Sequence, residues 1–353
     1  GFGDGAHIAM LSKNCAHFFI AELAIWMAGG TTVAIFPTEG PDTIRYVLEH
    51  SDAKLLFVGK LDNWPPLAPS TGFEAWDDIV ARTAPLQGRV ARRPDELAMI
   101  IYTSGSTGTP KGVMHSFERV SEVGENIVAS EQYTPQDRLI SYLPLAHVFE
   151  RAFIEVASFV GSPHVFFADT LDSFVQDVRR ARPTLFISVP RLWVKFQHGV
   201  LHKMPQKKLD LLLKIPILNN IVRRKILDGL GLDQVRMAGS GSAPLPHEIL
   251  VWDRRLGLTL MEGYAMTEDF AYSHVSRVDA HAPGHVGIPY PGVEVKISEN
   301  GEVLINSPGK MVGYYKQPEL TAESFTEDGF FRTGDLGERD HTGLLKLTGG
   351  AKE

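Results

Sequence analysis

The segment from Leu97 to Gly112 restricts the fold of this chain more than any other part of the sequence. It begins with six apolar residues, Leu-Ala-Met-Ile-Ile-Tyr, and passes directly into Thr-Ser-Gly-Ser-Thr-Gly-Thr-Pro-Lys-Gly. A short apolar run rich in β-favouring residues is typical of a buried strand. The glycines that follow let a backbone turn tightly and approach a ligand closely. The sequence therefore predicts a buried strand that leads into a ligand-binding loop.

The chemistry of this loop favours a phosphate group as its ligand. Hydroxyls and backbone N–H groups can donate to phosphate oxygens, and Lys111 adds a positive charge. The loop is not the common P-loop, because Pro110 stands five positions after Gly105 and Gly112 follows Lys111. A flexible Ser/Gly linker is the alternative, but linkers rarely follow a buried strand directly. We therefore interpret the segment as a phosphate-binding loop.

Strand and helix patterns alternate through the first two-thirds of the chain. The predicted helices are Cys15–Met27, Pro41–His50, Lys207–Leu227 and Pro246–Leu256, and the predicted strands are Thr32–Phe36, Leu55–Val58, Leu97–Tyr102, Thr184–Val189 and Leu258–Met261. This alternation indicates a layered α/β domain with two mostly parallel sheets and flanking helices.

After about Pro283 the pattern changes to short strands and glycine turns. Asn300–Gly301 predicts a tight hairpin turn between Val293–Ser298 and Val303–Ile305. We expect an α/β body over residues 1–283, a small β-barrel-like subdomain over 284–349 and the start of a hinge at 350–353. Both ends of the chain are expected to be cut.

Composition and charge exclude several classes of protein. The formal net charge of −7 disfavours a general nucleic-acid binder. The one cysteine, Cys15, excludes an internal disulfide framework and a Cys-rich zinc site. The longest charge-free run, Leu23 to Thr38, is shorter than the ~20 residues of a spanning helix, and no signal-peptide pattern is present. We expect a cytoplasmic protein and leave peripheral membrane contact open.

The phosphate loop closely resembles the signature of the adenylate-forming superfamily, which includes acyl-CoA synthetases, luciferases and the adenylation domains of peptide synthetases. The resemblance covers essentially the whole chain and is nearest to bacterial long-chain fatty-acid CoA ligases. It implies that ATP or AMP phosphates are bound by the loop, with Lys111 as a catalytic residue. The implied loop contacts are Thr103, Ser104, Gly105, Ser106, Thr107 and Gly108.

Further segments resemble other motifs of this superfamily, in the same order along the chain. In Glu262–Glu268, the resemblance implies that Tyr264 stacks on adenine, Thr267 contacts the α-phosphate, and Glu268 binds Mg²⁺ together with Thr103. Asp335, in Thr-Gly-Asp, would accept both ribose hydroxyls. The remaining implied nucleotide contacts are Gly241, Ser242, Ala243, Pro244, Glu262 and Gly263.

Two segments concern the acyl group and the hinge. Leu143–Arg151 resembles the acyl-site segment, which implies that His147 and Val148 line the substrate channel together with Ala265, where the family usually has Gly. Read alone, a single histidine is more often structural. Gly350 stands where the family has Arg, and Lys352 falls at the hinge. The family's C-terminal lid lies outside these residues, so we expect weak nucleotide binding and slow turnover.

The resemblance implies an AMP-forming ligase whose substrates are a fatty acid, ATP and coenzyme A, with Mg²⁺ as cofactor. Two alternatives stay open from the sequence. The protein could load an acyl carrier protein after forming the adenylate. It could also be a degenerate, non-catalytic nucleotide-binding module, which Gly350 and Ala265 would favour.

Overall fold

The computed structural model describes residues 3–61, 80–88, 90–104, 108–282 and 284–350, with the backbone alone at Ser104. The strands are β1 His7–Leu11, β2 Thr31–Ile35, β3 Leu55–Val58, β4 Leu97–Ser104, β5 Pro110–Ser116, β6 Arg138–Ser141, β7 His164–Phe167, β8 Leu185–Ser188, β9 Met237–Ser240, β10 Leu260–Tyr264, β11 His274–Val275, β12 Ile288–Pro289, β13 Glu294–Ile297, β14 Glu302–Asn306, β15 Gly313–Tyr314, β16 Phe331–Arg339 and β17 Leu345–Gly350.

Several helices with defined bounds accompany these strands in the described ranges. They are α1 Ala16–Met27, α2 Pro41–His50, α3 Phe117–Glu131, α4 Val148–Glu150 continued by Arg151–Val156 and Ala157–Gly161, α5 Phe174–Ala181, α6 Pro190–Lys203, α7 Gln206–Lys214, α8 Pro216–Leu230, α9 His247–Leu256 and α10 Pro318–Glu323. None of them is long and apolar enough to span a bilayer.

The first of two compact units comprises residues 1–120, 144–147 and 311–318. Its six-stranded sheet has the order β15-β5-β4-β2-β1-β3, parallel from β3 to β4 and antiparallel from β4 to β15. Every residue of β2 is buried, as expected for a central parallel strand covered on both faces. Ile44 and Val47 of α2 pack on the sheet against Val33 and Ile100.

The second unit comprises residues 121–143, 148–310 and 319–353. Its five-stranded sheet has the order β12-β11-β10-β9-β8, with β8, β9 and β10 parallel. Phe186 and Trp193 lie in the core beside this sheet, and the Trp193 indole N–H donates to the Gly239 carbonyl at 3.3 Å. A separate antiparallel sheet, β13-β14-β16-β17, contains the predicted hairpin, whose turn residue Gly301 has φ +82°.

The predicted α/β class with two sheets and flanking helices is confirmed. In each larger sheet the parallel pairs extend to one edge and the antiparallel pairs to the other. Within the described residues, the β-rich segment is an open four-stranded sheet and not a closed barrel. The boundary at residue 284 stays a prediction.

Two sequence-based elements need correction. The single helix predicted over Lys207–Leu227 is wrong, because it is two helices, α7 and α8. Ile215 is extended between them (φ −89°, ψ 114°), since a residue before proline is driven out of the α region. The strand predicted at Leu258–Met261 starts later and continues to Tyr264, which places the Glu262–Tyr264 motif on the strand itself.

Candidate functional site

In the first unit, the predicted phosphate loop connects the two strands of a β-hairpin. Thr103 of β4 pairs with Lys111 of β5, and Ser104 pairs with Pro110. Directly opposed residues of an antiparallel pair project from the same face of the sheet. The half-buried Thr103 and Lys111 side chains therefore leave the hairpin together. Gly108 has φ +82°, a left-handed conformation that favours glycine.

Gly105, Ser106 and Thr107 lie outside the described residues, as does the Ser104 side chain. Their phosphate contacts stay predictions, and so does the role of Lys352, which also lies outside.

The end of the hairpin is held in place by its neighbours. The Tyr46 hydroxyl, on α2, donates to the Pro110 carbonyl at 3.1 Å. The Lys111 ammonium lies 5.4 Å from the centroid of the Tyr314 ring on the adjacent strand β15. A Cβ at Gly112 would lie 2.9 Å from Ile100 Cγ2, so glycine is required by close packing there. These contacts fix the direction in which Lys111 leaves the sheet.

In the second unit, two neighbouring parallel strands bring two predicted segments to one edge of the sheet. Glu262 of β10 pairs with Ser240 at the end of β9, and the loop that begins at Gly241 follows directly. The Gly241 N–H donates to the Ser188 carbonyl at 3.1 Å. A Cβ on Gly241 would lie 3.3 Å from the Phe149 ring.

The rest of this loop is open to solvent. Ser242, Ala243 and Pro244 are exposed, and Ser242 has a left-handed φ of 69°. The Leu245 N–H donates to Glu262 Oε1 at 3.3 Å, which ties the far end of the loop to β10. Burial raises the pKa of Glu262 above its usual value. The loop is thus held at both ends, with its middle exposed.

Tyr264 and Asp335 meet in the structure although 71 positions separate them. The Tyr264 hydroxyl donates to Asp335 Oδ2 at 2.6 Å. Burial, followed by the charge of Asp335, raises the pKa of Tyr264, so the phenol stays a proton donor. The Asp335 N–H donates to Thr333 Oγ1 at 3.0 Å, and the Gly334 N–H donates to Glu302 Oε1 at 3.0 Å. An aromatic face and an oriented carboxylate are thereby presented together.

The remaining residues of this motif form a compact turn after β10. Gly263 pairs with Val275 of β11, and the half-buried Ala265 follows Tyr264. Thr267 and Glu268 are half-buried in a single 3₁₀ turn, Thr267–Asp269. Sequence reasoning missed the third residue of this turn. Asp269 is buried, accepts the Met266 N–H at 3.0 Å, and has its pKa raised to about 8 by burial. Its carboxyl group fixes the turn that presents Thr267 and Glu268.

The predicted channel residues occupy the segment that leads into α4. The His147 N–H donates to the Pro144 carbonyl at 2.9 Å. Burial lowers the pKa of the half-buried His147, which favours the neutral imidazole. Val148 is 3% exposed and begins α4. Their place in the acyl channel stays a prediction.

Three charged residues of α4 escaped sequence reasoning. Glu150 is buried and accepts Ser141 Oγ at 2.7 Å and the Tyr142 N–H at 2.9 Å. Arg151 and Glu155 form an ion pair at 2.9 Å in which both side chains are fully enclosed. Both lie in the π-helical segment Arg151–Val156, a geometry that often occurs at functional positions. The local sequence Arg-Ala-Phe-Ile-Glu-Val gives no sign that these charged side chains are buried and not on the surface.

Comparisons with known proteins show the family of the chain. The family described as AMP-binding enzyme matches residues 1–315. Fatty acyl-CoA synthetase A of Dictyostelium discoideum is 29% identical over 98% of the chain, and the long-chain-fatty-acid–CoA ligase FadD15 of Mycobacterium bovis is 31% identical over all of it. The chain spans 61% and 66% of the lengths of these two relatives.

Solved structures share the fold at lower identity. The o-succinylbenzoate coenzyme A synthetase MenE of Bacillus subtilis, in complex with AMP, superposes with a TM-score of 0.80 at 21% identity, covering 99% of this chain and 87% of that one. The N-terminal domain of FACL13 from Mycobacterium tuberculosis gives a TM-score of 0.78 at 22% identity, with coverages of 99% and 87%.

Proposed function

Since this chain belongs to the AMP-binding enzyme family, we propose that it activates a fatty carboxylate with ATP and transfers the acyl group to coenzyme A. Relatives at about 30% identity are named as fatty acyl-CoA synthetases and long-chain-fatty-acid–CoA ligases, which supports a long-chain acyl substrate. The single observation that carries the proposal is the pairing of Tyr264 with Asp335.

This pair suits a nucleoside. The Tyr264 ring offers a flat face for a purine, and the exposed residues 242–244 follow the end of β9, the strand paired with β10. An ionised carboxylate such as Asp335 accepts the two hydroxyls of a ribose with strong directional hydrogen bonds. On binding, the ribose would replace the Tyr264 hydroxyl as the donor to Asp335.

The hairpin of the first unit supplies the phosphate-binding groups. Thr103 donates through its hydroxyl, Lys111 brings a positive charge, and the loop tip at Gly105–Thr107 is proposed to add backbone N–H donors. In the second unit, Thr267 is proposed to contact the α-phosphate.

Glu268, with the Thr103 hydroxyl, fits Mg²⁺ by the chemistry of its oxygens. No group of three or more His, Cys, Asp or Glu able to hold a metal occurs among the described residues. Mg²⁺ is commonly held by one or two carboxylates with substrate phosphates and water, so a single glutamate is sufficient when the nucleotide supplies the rest. When bound, the ion would neutralise phosphate charge.

The proposed reaction has two steps. In the first, a carboxylate oxygen of the fatty acid attacks the α-phosphorus of ATP, giving the acyl-adenylate and pyrophosphate. In the second, the thiol of coenzyme A attacks the acyl carbonyl, loses its proton and releases AMP. The first nucleophile is already ionised at neutral pH, so the protein needs no strong base for it. Positioning and charge neutralisation then supply the catalysis, and neutral His147, Val148 and Ala265 are proposed to line the acyl channel.

Exchange of labelled pyrophosphate into ATP tests the first step. We expect exchange that depends on added fatty acid, measured over a series of increasing chain length. Lys111→Ala should reduce it by about a hundredfold or more, because one electrostatic donor at the reacting phosphate is lost. Lys316→Ala is the matched control, since Lys316 is a partly exposed lysine of the same unit that pairs with Asp52.

Two results would contradict this assignment. The first is exchange that does not depend on the fatty acid, and the second is equal loss in the Lys111 and Lys316 variants. Adding coenzyme A or an acyl carrier protein to the acyl-adenylate then identifies the acceptor, because only the true acceptor releases AMP.

A further inference from the structure

Helices α7 and α8 carry an apolar surface with no partner in the described part of the chain. Five large apolar side chains on these helices and the turn between them are exposed: Leu211, Ile215, Ile217, Leu218 and Ile221. We call these five residues the α7–α8 face. Ile217 is 78% exposed and Leu211 is 63% exposed, which is far from the burial usual for such residues. Scattered apolar residues need no explanation, but five on one helical pair do.

The opposite side of the same helices is well packed. Leu209 of α7 is fully buried against Trp252 and Leu256 of α9, and Val222 and Ile226 of α8 join this cluster. The helices are therefore anchored to the second unit by their inner face. The exposed apolar residues of the outer face are therefore not needed to hold the two helices on the second unit.

The geometry of the turn concentrates the apolar side chains at one end. Ile215, Ile217 and Leu218 surround Pro216, which separates the two helices. Ile221 follows Ile217 by four residues and so lies on the same side of α8. The result is an exposed apolar cluster at the junction of the two helices.

The charge of this segment is opposite to that of the whole chain. Residues 203–225 contain seven basic residues and one acidic residue, a formal charge of +6 in a chain of net charge −7. Six of the basic side chains are exposed, and none forms an ion pair within the described ranges: Lys203, Lys207, Lys208, Lys214, Arg224 and Lys225. The one acidic residue, Asp210, is paired with Arg255 of α9 at 2.5 Å.

Basic and apolar residues alternate on the outer sides of both helices. Lys207 and Lys214 flank Leu211 on α7, and Arg224 and Lys225 lie one turn beyond Ile221 on α8. Long basic side chains can hold their charged ends among the phosphates of lipid headgroups while neighbouring apolar side chains enter the bilayer.

We propose that the α7–α8 face docks on an anionic lipid bilayer, with its isoleucines and leucines in the interface and the neighbouring lysines and arginines at the headgroups. An amphipathic helix with a basic polar side binds in this way, lying along the membrane surface. Each Lys or Arg near an anionic surface adds to the attraction. Charge complementarity favours an anionic bilayer over a second copy of the chain. In a symmetric dimer, two equally basic faces would meet and repel each other. The inference stands independently of the ligase proposal.

Flotation with vesicles, in the absence of ATP, tests the proposal. We expect the chain to float with vesicles of phosphatidylcholine mixed with phosphatidylglycerol, to float much less with phosphatidylcholine alone, and to be released by high salt. The double variant Ile217→Ser/Ile221→Ser should bind the anionic vesicles at least about tenfold more weakly, because two apolar side chains that enter the bilayer are lost. Lys214→Gln/Arg224→Gln/Lys225→Gln should lose the preference for anionic lipid.

A matched control keeps the test specific. Leu171 and Val278 are equally exposed apolar residues of the same unit, at 86% and 68%, and Leu171→Ser/Val278→Ser should bind as the unmodified chain does. Unchanged melting temperatures show that the variants fold. The proposal is overturned if the unmodified chain does not float, or if both double variants float equally. It is also overturned if the face instead forms a concentration-dependent dimer that Ile217→Ser/Ile221→Ser dissociates.

Discussion

At the scale of single residues, the pairing of Tyr264 with Asp335 joins two motifs that the sequence shows only in order. Each residue could be singled out from its short motif, but the sequence does not contain their 2.6 Å hydrogen bond, which depends on how β10 and β16 meet. Asp269 and Glu150 were missed for the opposite reason. They are buried carboxyls, and neither their burial nor their hydrogen-bond partners can be read from a local sequence motif.

The Tyr264 ring and its hydroxyl can be tested separately. Tyr264→Phe keeps the aromatic face and should change AMP affinity by only a few-fold, whereas Tyr264→Ala should weaken it by roughly tenfold or more, since stacking of a base on an aromatic ring is lost. Isothermal titration calorimetry with AMP gives both affinities. Equal affinities for the Phe and Ala variants would rule out a stacking role for the ring.

Glu150 makes stability depend on pH. Burial raises its pKa from 4.5 to about 8. Between these values the unfolded chain releases the proton that the folded chain keeps, so the contribution of Glu150 is present below pH 4.5 and is lost as pH rises towards 8. Glu150→Gln removes this dependence. As pH rises through this window, the free energy of unfolding of the variant should increase relative to that of the unmodified chain by roughly 1 kcal/mol per pH unit, which is a few degrees in Tm.

Thermal unfolding at several pH values between 5.5 and 7.5, set within the window of the Glu150 shift, checks this expectation. Glu125→Gln, an exposed change on α3, is the control and should show no such trend. A constant difference in Tm between the Glu150→Gln variant and the unmodified chain would contradict the account.

At the scale of elements, the sequence predicted the strand before the phosphate loop but not its hairpin. Pro110–Ser116 contains a proline, a glycine and a histidine, which hide a strand pattern, and its pairing with β4 is a tertiary contact. The helix break at Ile215 was predictable in principle, because the residue before a proline avoids the α region. The exposure of Ile217 and Ile221 was not, since an apolar helix face is normally assigned to a core.

The strand register gives Gly350 a specific position. Gly350 of β17 lies opposite Asp335 of β16, and opposed residues project from the same face. Gly350→Arg would place a guanidinium beside the proposed ribose carboxylate, within reach of the nucleotide. We expect a several-fold gain in AMP affinity from the added charge-assisted hydrogen bonds.

The adjacent residue provides the control for this change. Gly349 lies opposite Leu336, projects from the other face and has open space around its Cβ position. Gly349→Arg should therefore leave AMP affinity unchanged in the same titration. If the Gly350 variant binds no more tightly than the Gly349 variant, the inferred placement is wrong.

At the scale of the whole molecule, the alternation of strands and helices was enough to predict the α/β class. Among the parallel strands, β2, β3, β4, β8 and β10 follow from apolar runs that the sequence displays, whereas β1 and β9 were not predicted. The antiparallel edge strands could not be predicted, because β11, β12 and β15 are only two residues long and show no hydrophobic periodicity. The parts of the candidate site that lie on strand ends were therefore the most predictable.

Calorimetric titration of the chain with AMP tests the central claim, which is that the Tyr264–Asp335 pair forms a nucleoside site. We predict measurable binding that Asp335→Ala weakens by about tenfold to a hundredfold, as expected when hydrogen bonds to a charged group are lost. Glu338→Ala, a change at an exposed glutamate of the same strand, should bind AMP as the unmodified chain does. Equal AMP affinity in the Asp335 and Glu338 variants, or no binding by the unmodified chain, would contradict the account.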